Sequence, residues 1–182
     1  MLTIGFVGGL RYVEINRNIV DSLANSSEYA LLYVGKKHPG FDLETYCELN
    51  GILNVRFLSA YRNEEKENIY KYIQIINCVY GNKSPEVRTA LPNKLYDAAL
   101  YKKPIIVSKG TYLHRLVAEY DLGLAIDLAN EIKTELDKYL CCFDKDVFLK
   151  GCERFLQVVS EEKRLALGYI DEFVSTMKYG GK

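Results

Sequence analysis

Short apolar runs recur along the first two thirds of the chain, and each is followed by a segment in which apolar residues return every three or four positions. The runs are continuous rather than alternating, which predicts strands buried on both faces of a parallel sheet. The intervening segments have the spacing of amphipathic helices. This alternation predicts an α/β fold, a doubly wound parallel sheet of about six strands with helices on both faces. The expected strands are Thr3–Val7, Tyr29–Val34, Val55–Leu58, Ile75–Val79, Pro104–Val107 and Leu124–Ile126.

Polar residues and prolines predict where the helices begin. The candidate starts are Asn16, Asp42, Asn63, Pro92, Thr111, Asp144 and Ser160. Residues 81–91 lack such a pattern and are predicted as a polar loop. After Asp127 only helical spacing remains, so we expect a single domain over residues 1–182. Its α/β core would cover residues 1–127, three helices would extend over residues 128–182, and Gly180–Lys182 would form a frayed tail.

The 182 residues include 24 Lys and Arg and 24 Asp and Glu, so the formal net charge is zero. This balance argues against nucleic-acid partners and against docking on anionic lipid. No apolar run approaches the ~20 residues of a membrane span, and the first residues lack the features of a signal peptide. The irregularly spaced cysteines favour reduced thiols in a cytoplasmic protein. Neither histidine has a neighbouring ligand at metal-site spacing, so no metal or other cofactor is expected.

The beginning of the helix after residue 91 combines groups that could hold a nucleotide. Pro92 suits the first turn, and the free backbone N–H groups there carry partial positive charge that favours a phosphate. Asn93 and Lys94 add polar and charged groups to that turn, and Asp97 projects from the same side one turn later. A carboxylate at this position can accept hydrogen bonds from both hydroxyls of a ribose. An ordinary amphipathic helix with a solvated Asp97 is the alternative.

A glycine pair follows the first predicted strand, at the sheet edge where ligands of open parallel sheets bind. Gly8 and Gly9 could let backbone N–H groups approach a diphosphate, and Arg11 could pair with its oxygens. A tight turn and a solvated arginine are the alternatives, because the full dinucleotide pattern Gly-x-Gly-x-x-Gly is absent.

Two further loops should reach the same edge of the sheet. Ser59, Ala60 and Tyr61 follow the third strand. Tyr61 could stack on a base, although a packing role is the alternative. Glu86 lies in the loop after the fourth strand, where it could face a sugar or only water.

Five segments, in this order, resemble one enzyme family: Ile4–Arg11, Asn54–Ser59, Leu91–Ala98, Lys103–Ser108 and Leu122–Asp127. Over most of its length the chain is similar to the C-terminal half of GT-B-fold retaining glycosyltransferases, of the type that makes capsular and cell-surface polysaccharides. The resemblance implies a Rossmann-like domain that binds a nucleotide-sugar donor and needs no metal.

By that likeness, the glycine loop and the helix start would bind the donor. Gly8, Gly9, Arg11 and Lys94 would contact the diphosphate, and Asp97 would hold the ribose. We count Arg11 and Lys94 as catalytic, because they would stabilise the charge on the departing diphosphate. The other expected substrate contacts are Ser59, Ala60 and Tyr61 near the base, together with Glu86, Pro92, Asn93 and Leu95.

Two motifs depart from the family pattern. The family usually has two glutamates eight residues apart, and these positions hold Thr89 and Asp97 here. The basic residues after the first strand are also altered, since Gly9 occupies the usual arginine position and Glu14 lies near the expected lysine.

Enzymes of this family carry out the reaction between two Rossmann-like domains, and this chain supplies one. The resemblance implies the donor-binding half of a hexosyltransferase that uses a UDP- or GDP-sugar and a glycan or lipid-linked acceptor, with little turnover alone. The N-terminal, acceptor-binding domain would belong to a longer protein or a partner chain, and it could bring this half close to a membrane. The last helix, with Leu165, Ile170 and Phe173, would cross to that domain or form a homodimer.

Other functions are compatible with parts of the pattern. A non-catalytic α/β module that binds a nucleotide or a protein partner is the main alternative, because the first glutamate and the second domain are missing. A dinucleotide oxidoreductase domain is disfavoured by the incomplete glycine pattern.

Overall fold

The computed structural model describes residues 1–179, and it describes side chains as far as Met177. The strands are β1 (Leu2–Val7), β2 (Tyr29–Val34), β3 (Val55–Leu58), β4 (Ile75–Cys78), β5 (Ile105–Ser108) and β6 (Gly123–Ile126). The helices are α1 (Val13–Leu23), α2 (Leu43–Leu49), α3 (Lys66–Lys71), α4 (Pro85–Thr89), α5 (Asn93–Leu100), α6 (Tyr112–Glu119), α7 (Ile132–Cys141) and α8 (Lys145–Tyr179). A 3-10 turn at Asn63–Glu65 leads directly into α3.

All six strands are parallel and form one sheet in the order β3-β2-β1-β4-β5-β6. The predicted α/β, Rossmann-like fold is therefore confirmed. After β3 the chain returns across the sheet to β4, which pairs with β1. This reversal leaves a crevice beyond the carboxyl ends of β1 and β4, which is where ligands bind in open sheets of this order.

The hydrophobic core has two parts, one on each face of the sheet. Side chains from α1, α2 and α7 cover one face, and side chains from α3, α5, α6 and the first half of α8 cover the other. Strand residues such as Ile75 and Ile76 therefore contribute to opposite parts of the core. This burial on both faces explains why the strand sequences are continuously apolar.

The C-terminal extension contains two helices rather than three. Asp144 caps α8 as predicted, since its carboxylate accepts hydrogen bonds from the backbone N–H groups of Asp146 and Val147. Ser160 caps nothing and lies inside α8, because no glycine or proline near it interrupts the helix. The prediction for Gly180–Lys182 concerns residues outside those that the structure describes.

Two other local predictions were wrong. The polar loop at 81–91 contains α4, a short helix with Pro85 in its first turn and Ser84 at its N-cap position. Asn16 does not cap α1 but lies buried inside it, where its amide donates to the backbone oxygens of Arg11 and Tyr12.

The second half of α8 extends away from the core. Phe148, Cys152 and Phe155 of its first half are buried, whereas every side chain described beyond Ser160 is exposed. The exposed apolar side chains of this segment are Leu165, Leu167, Tyr169, Ile170, Phe173, Val174 and Met177. The apolar side of this segment is thus open to solvent. None of the helices in residues 1–179 has the length and apolar character needed to cross a membrane.

Candidate functional site

The loops after β1 and β2 form one rigid wall of the crevice. Gly8 and Gly35 have φ values of +133° and +147°, which side-chain-bearing residues rarely adopt. A Cβ atom on Gly35 would lie 1.8 Å from the backbone oxygen of Gly8, so only glycine fits there. The backbone N–H of Leu10 donates to Lys36, and that of His38 donates to Leu10, at 2.8 and 3.0 Å. The glycine loop is therefore held against the loop after β2.

His38 is a site residue that the sequence analysis missed. A Cβ atom on Gly9 would lie 3.1 Å from the His38 Nε2 atom and 4.0 Å from the Arg11 Nε atom. An imidazole and a guanidinium therefore flank the exposed edge of Gly9. Both side chains are exposed, so both can reach a ligand at this loop.

A buried pair of amides fixes the chain that follows the glycine loop. Asn77 on β4 donates to the side-chain oxygen of Asn16 at 3.2 Å, and Asn16 donates to the backbone oxygen of Arg11 at 3.0 Å. Tyr12 then starts α1 with a φ of +61°, and its ring stacks on Tyr80 at 4.7 Å between centroids. These contacts connect the backbone of Arg11 to the end of β4.

Lys94 on α5 is only 6% exposed. Its ammonium donates to the Tyr80 hydroxyl at 3.0 Å and lies 3.6 Å from the centroid of the Phe6 ring. It is also 3.6 Å from the position that a Cβ atom on Gly8 would occupy. Among the residues that the structure describes, no carboxylate forms an ion pair with Lys94. A cation so deeply buried is unfavourable unless a negative charge joins it.

The surroundings of Lys94 lower the pKa of its ammonium group. Burial is the main cause, and the Arg11 guanidinium adds to it, so that the pKa of Lys94 falls to about 8. The nearby Cys78 thiol and the Asp97 carboxylate act in the opposite direction. An anion bound beside Lys94 would restore the charged form, because opposite charges favour ionisation.

Asp97 lies one turn after Lys94 on α5 and is 7% exposed. Its Oδ1 atom pairs with the Lys66 ammonium at 2.7 Å, and its Oδ2 atom accepts from the Tyr70 hydroxyl at 2.9 Å. The alternative of a solvated Asp97 is therefore wrong. Burial and the neighbouring Asp97 carboxylate raise the pKa of Tyr70, so its hydroxyl stays protonated and remains a donor.

Tyr61 lies at the junction between this network and a second hollow. Burial raises the pKa of Tyr61, the Lys66 charge acts in the opposite direction, and the Asp97 carboxylate adds to the effect of burial. Ser59 and Ala60 are exposed and line, together with Tyr61, an open cavity of about 880 Å³ against β2 and β3. The three residues share this cavity with Asn68 and Ile69 of α3, and Gly8 and Gly9 do not line it.

The remaining predicted contacts differ in their accessibility. Pro92 and Asn93 lie at the start of α5, where Asn93 is exposed. Leu95 is completely buried in the core beneath α5, so its side chain cannot provide the expected substrate contact. Glu86 is exposed on α4, where a hydrogen bond with Ser84 lowers its pKa. None of the contacts described for Glu86 connects it to Lys94 or Asp97.

The structure therefore brings together Gly8, Gly9, Arg11 and Lys94, with Asp97 one helical turn away. Lys66, Tyr70 and Tyr80 complete the site and were not identified from the sequence. The spacing of Lys66 and Tyr70, four residues apart in a helical pattern, was the one signal available for them. Residues 1–179 contain no group of three His, Cys, Asp or Glu side chains arranged to hold a metal ion.

No protein-family model matches this sequence, and no curated protein matches it either. Solved structures do share its fold. The C-terminal domain of the group 1 glycosyl transferase LpcC from Francisella tularensis has a TM-score of 0.60 and 14% identity, over 89% of this chain and 86% of that one. HepE from Anabaena, in complex with UDP-glucose, has a TM-score of 0.69 and 16% identity, over 93% of this chain and 49% of that one.

WaaG, described as a glycosyltransferase involved in lipopolysaccharide biosynthesis, has a TM-score of 0.60 and 18% identity, over 84% of this chain and 41% of that one. The chain thus spans most of the isolated LpcC domain but less than half the length of HepE and WaaG. The expected likeness to the C-terminal half of such glycosyltransferases is confirmed at the level of the fold.

Proposed function

We propose that this chain is the domain of a GT-B-fold glycosyltransferase that binds the nucleotide-sugar donor. The observation that carries the proposal is the ammonium of Lys94, which is buried beside Gly8 without a carboxylate partner among the described residues. A structural lysine at this depth would be expected to have a counter-ion. A diphosphate would supply the missing negative charge.

The geometry suggests how the donor would lie. The diphosphate would rest against Gly8 and Gly9, between the Arg11 guanidinium and the Lys94 ammonium. The N–H of Gly8 would not donate to it, contrary to the expectation from the sequence, because that group bonds the backbone oxygen of Val34 at 2.9 Å. Two lone-pair positions of Asp97 remain after its bonds to Lys66 and Tyr70, and these could accept the ribose hydroxyls. The base would then lie toward Tyr61. HepE has been solved in complex with UDP and with UDP-glucose, which makes uridine nucleotides the first ligands to test.

The proposed reaction transfers the sugar to a hydroxyl group of a glycan or lipid-linked acceptor, with retention at the anomeric carbon. Negative charge develops on the diphosphate as it leaves, and Arg11 and Lys94 would stabilise it in the transition state. They would thereby perform the role that a metal ion performs in other enzymes. A place in cell-surface polysaccharide synthesis on the cytoplasmic side follows as part of the same proposal.

A second domain would complete the active site. In this proposal, residues 1–127 form the donor-binding core and residues 128–182 the extension that joins the acceptor-binding half. The exposed apolar side of α8, from Leu165 to Met177, would pack on that half, and a homodimer is the alternative. This chain alone would bind the donor and turn it over poorly.

A second candidate function is a non-catalytic module that binds a nucleotide or another protein. The observation that favours it is the Asp97 carboxylate, both of whose oxygens already have partners, together with Thr89 in place of the family's first glutamate. Such a module would bind nucleotides without transferring sugar when the partner half is supplied.

Thermal unfolding of the purified chain with UDP, UDP-glucose, GDP, NAD and FMN tests the proposal. We expect UDP and UDP-glucose to raise the melting temperature, since a ligand at 100 times its Kd adds about 2.7 kcal/mol to the free energy of unfolding. A response to NAD or FMN alone would indicate a different class of nucleotide-binding protein. The absence of any response would reject the proposed site.

A further inference from the structure

Two lysines, Lys66 and Lys94, lie near Asp97, but only Lys66 forms an ion pair with it. Lys94 lies three residues before Asp97 on the same helix, a spacing at which oppositely charged side chains commonly pair. The carboxylate instead takes Lys66, 31 residues away in the sequence, at 2.7 Å. Lys94 turns to the Tyr80 hydroxyl and the Phe6 ring, which are neutral groups.

We infer that Lys66 is a positioning residue for the anion site: by neutralising Asp97 it keeps the Lys94 ammonium unpaired and aimed at the glycine loop. The inference rests on the anion site of the proposed function and goes beyond it, because it assigns a role to a residue outside the predicted donor contacts. Lys66 would act through Asp97 rather than by touching the ligand.

The other partner of Asp97 cannot replace Lys66. Tyr70 donates a hydrogen bond to Oδ2, but its hydroxyl is neutral and leaves the charge of the carboxylate uncompensated. Asp97 is only 7% exposed, so water would compensate that charge poorly. Without Lys66, Lys94 is the cation on the same side of α5, and the two would neutralise each other.

The position of Lys66 supports this role. Lys66 and Tyr70 are four residues apart on α3 and reach Asp97 from the same helix face. The Lys66 side chain is 22% exposed, whereas that of Asp97 is 10% exposed. The ion pair therefore lies at the margin of the crevice, and Lys94 lies deeper, beneath Gly8.

Isothermal titration of the full chain with pyrophosphate, which has no ribose or base, tests the inference. We expect Lys66→Met to weaken pyrophosphate binding roughly tenfold, the usual scale of a lost charged hydrogen bond. Lys66→Met/Asp97→Asn should restore it, because the carboxylate that captures Lys94 is gone. Lys71→Met is the matched control, since Lys71 lies on the same helix but is exposed and contacts Glu67 and Asn68.

A second readout separates positioning from a general loss of structure. The charged and titratable groups around Lys94 are Arg11, Lys66, Cys78, Tyr80 and Asp97. Pairing with Asp97 would raise the pKa of Lys94 in Lys66→Met, and the double variant would lower it again. The Cε resonance of Lys94 reports this titration by NMR. Lys66→Gln keeps a neutral hydrogen bond to Asp97 and serves if Lys66→Met does not fold.

Three results would overturn the inference. Unchanged or tighter pyrophosphate binding by Lys66→Met would show that Lys66 does not protect Lys94. Weak binding that persists in the double variant would mean that Lys66 contacts the anion itself. Failure of the unmodified chain to bind both pyrophosphate and UDP would instead reject the anion site, and with it the proposed function.

Discussion

Two lysines at opposite ends of the parallel strands differ in their burial and in their ion pairs. Lys133 on α7 lies near the start of β2, where it pairs with Glu28 and Asp137 at 2.7 Å each. Lys94 lies beyond the end of β1, where it is more deeply buried and has no described carboxylate partner. Hydrogen bonds with Asp137 and Glu28 raise the pKa of Lys133, while burial lowers that of Lys94 to about 8.

Lys133 joins two elements of the fold, whereas under the proposed function Lys94 would bind the diphosphate of the donor. Lys133 connects α7 to the segment before β2, and all its interactions are made within the chain. Lys94 has a hydrogen bond to the Tyr80 hydroxyl and lies over the Phe6 ring, but no carboxylate in the described part of the chain pairs with it. Replacing buried charges by apolar residues is often neutral or stabilising. A buried charge without a partner is therefore better explained by a function than by a contribution to the stability of the fold.

The strongest test exchanges the two lysines for methionine. Lys94→Met should weaken UDP binding roughly 10- to 100-fold, the scale of a lost charge-assisted hydrogen bond, and should leave the free energy of unfolding unchanged or higher. Lys133→Met should lower the free energy of unfolding without changing UDP binding. Isothermal titration and urea unfolding measure the two effects. Destabilisation by Lys94→Met with intact binding would reverse the assignments.

The pH dependence gives a second test of the same difference. The pKa of Lys94, about 8, lies below its usual value of 10.5. The unfolded chain therefore binds this proton more tightly, and from about pH 8 to 10.5 this group makes the free energy of unfolding rise with pH. UDP affinity should fall over the same range, by at most about tenfold per pH unit, because the neutral amine no longer attracts phosphate.

Lys94→Met is the control for both trends. Its UDP affinity and its stability should lack the component that begins near pH 8, while changes due to other groups persist. A wild-type affinity that stays constant between pH 7 and 9.5 would contradict the role of the Lys94 charge.

The fold could be predicted from the sequence because its signals are local. Each strand is a continuous apolar run. Helix α6 begins after a capping residue, Thr111, whose hydroxyl accepts a hydrogen bond from the backbone N–H of His114. The division of α8 into two helices failed for the opposite reason. Ser160 followed by two glutamates has the composition of a helix start, but nothing near it breaks the preceding helix.

The site could be predicted only in part. Lys94 and Asp97 lie on one helix, so their proximity follows from their spacing in the sequence. The position of Gly8, Gly9 and Arg11 follows from the end of the first strand, because ligands of open parallel sheets bind at the carboxyl ends of the strands. Lys66 meets Asp97 across 31 residues, and Asn77 meets Asn16 across 61, so both contacts depend on how helices pack on the sheet. Periodicity carries no information on such pairs, which is why Asn16 was assigned as a cap rather than a buried amide.

Asp97→Asn tests whether the acid on α5 contacts the ribose. We expect UDP binding to weaken severalfold to tenfold, since an amide replaces a charged acceptor, while pyrophosphate binding is kept. The ratio of the two affinities, measured by titration, removes any effect on the phosphate site. Equal changes for both ligands would place Asp97 in the phosphate site instead, and no change would leave it a purely structural partner of Lys66.

The smallest effect is expected at His38, whose ring lies beside Gly9 but is exposed to solvent. His38→Ala should weaken UDP binding only about two- to fivefold, because a hydrogen bond from an exposed side chain competes with water and contributes about 0.5–1 kcal/mol. The comparison of the two lysines implies that burial without a counter-ion, rather than mere proximity to the glycine loop, determines how much a side chain contributes. Titrations of His38→Ala and Lys94→Met with UDP under the same conditions test this directly, since the loss of affinity should be clearly larger for Lys94→Met. If His38→Ala cost as much as Lys94→Met, burial would not be the property that distinguishes the ligand-binding groups of this crevice.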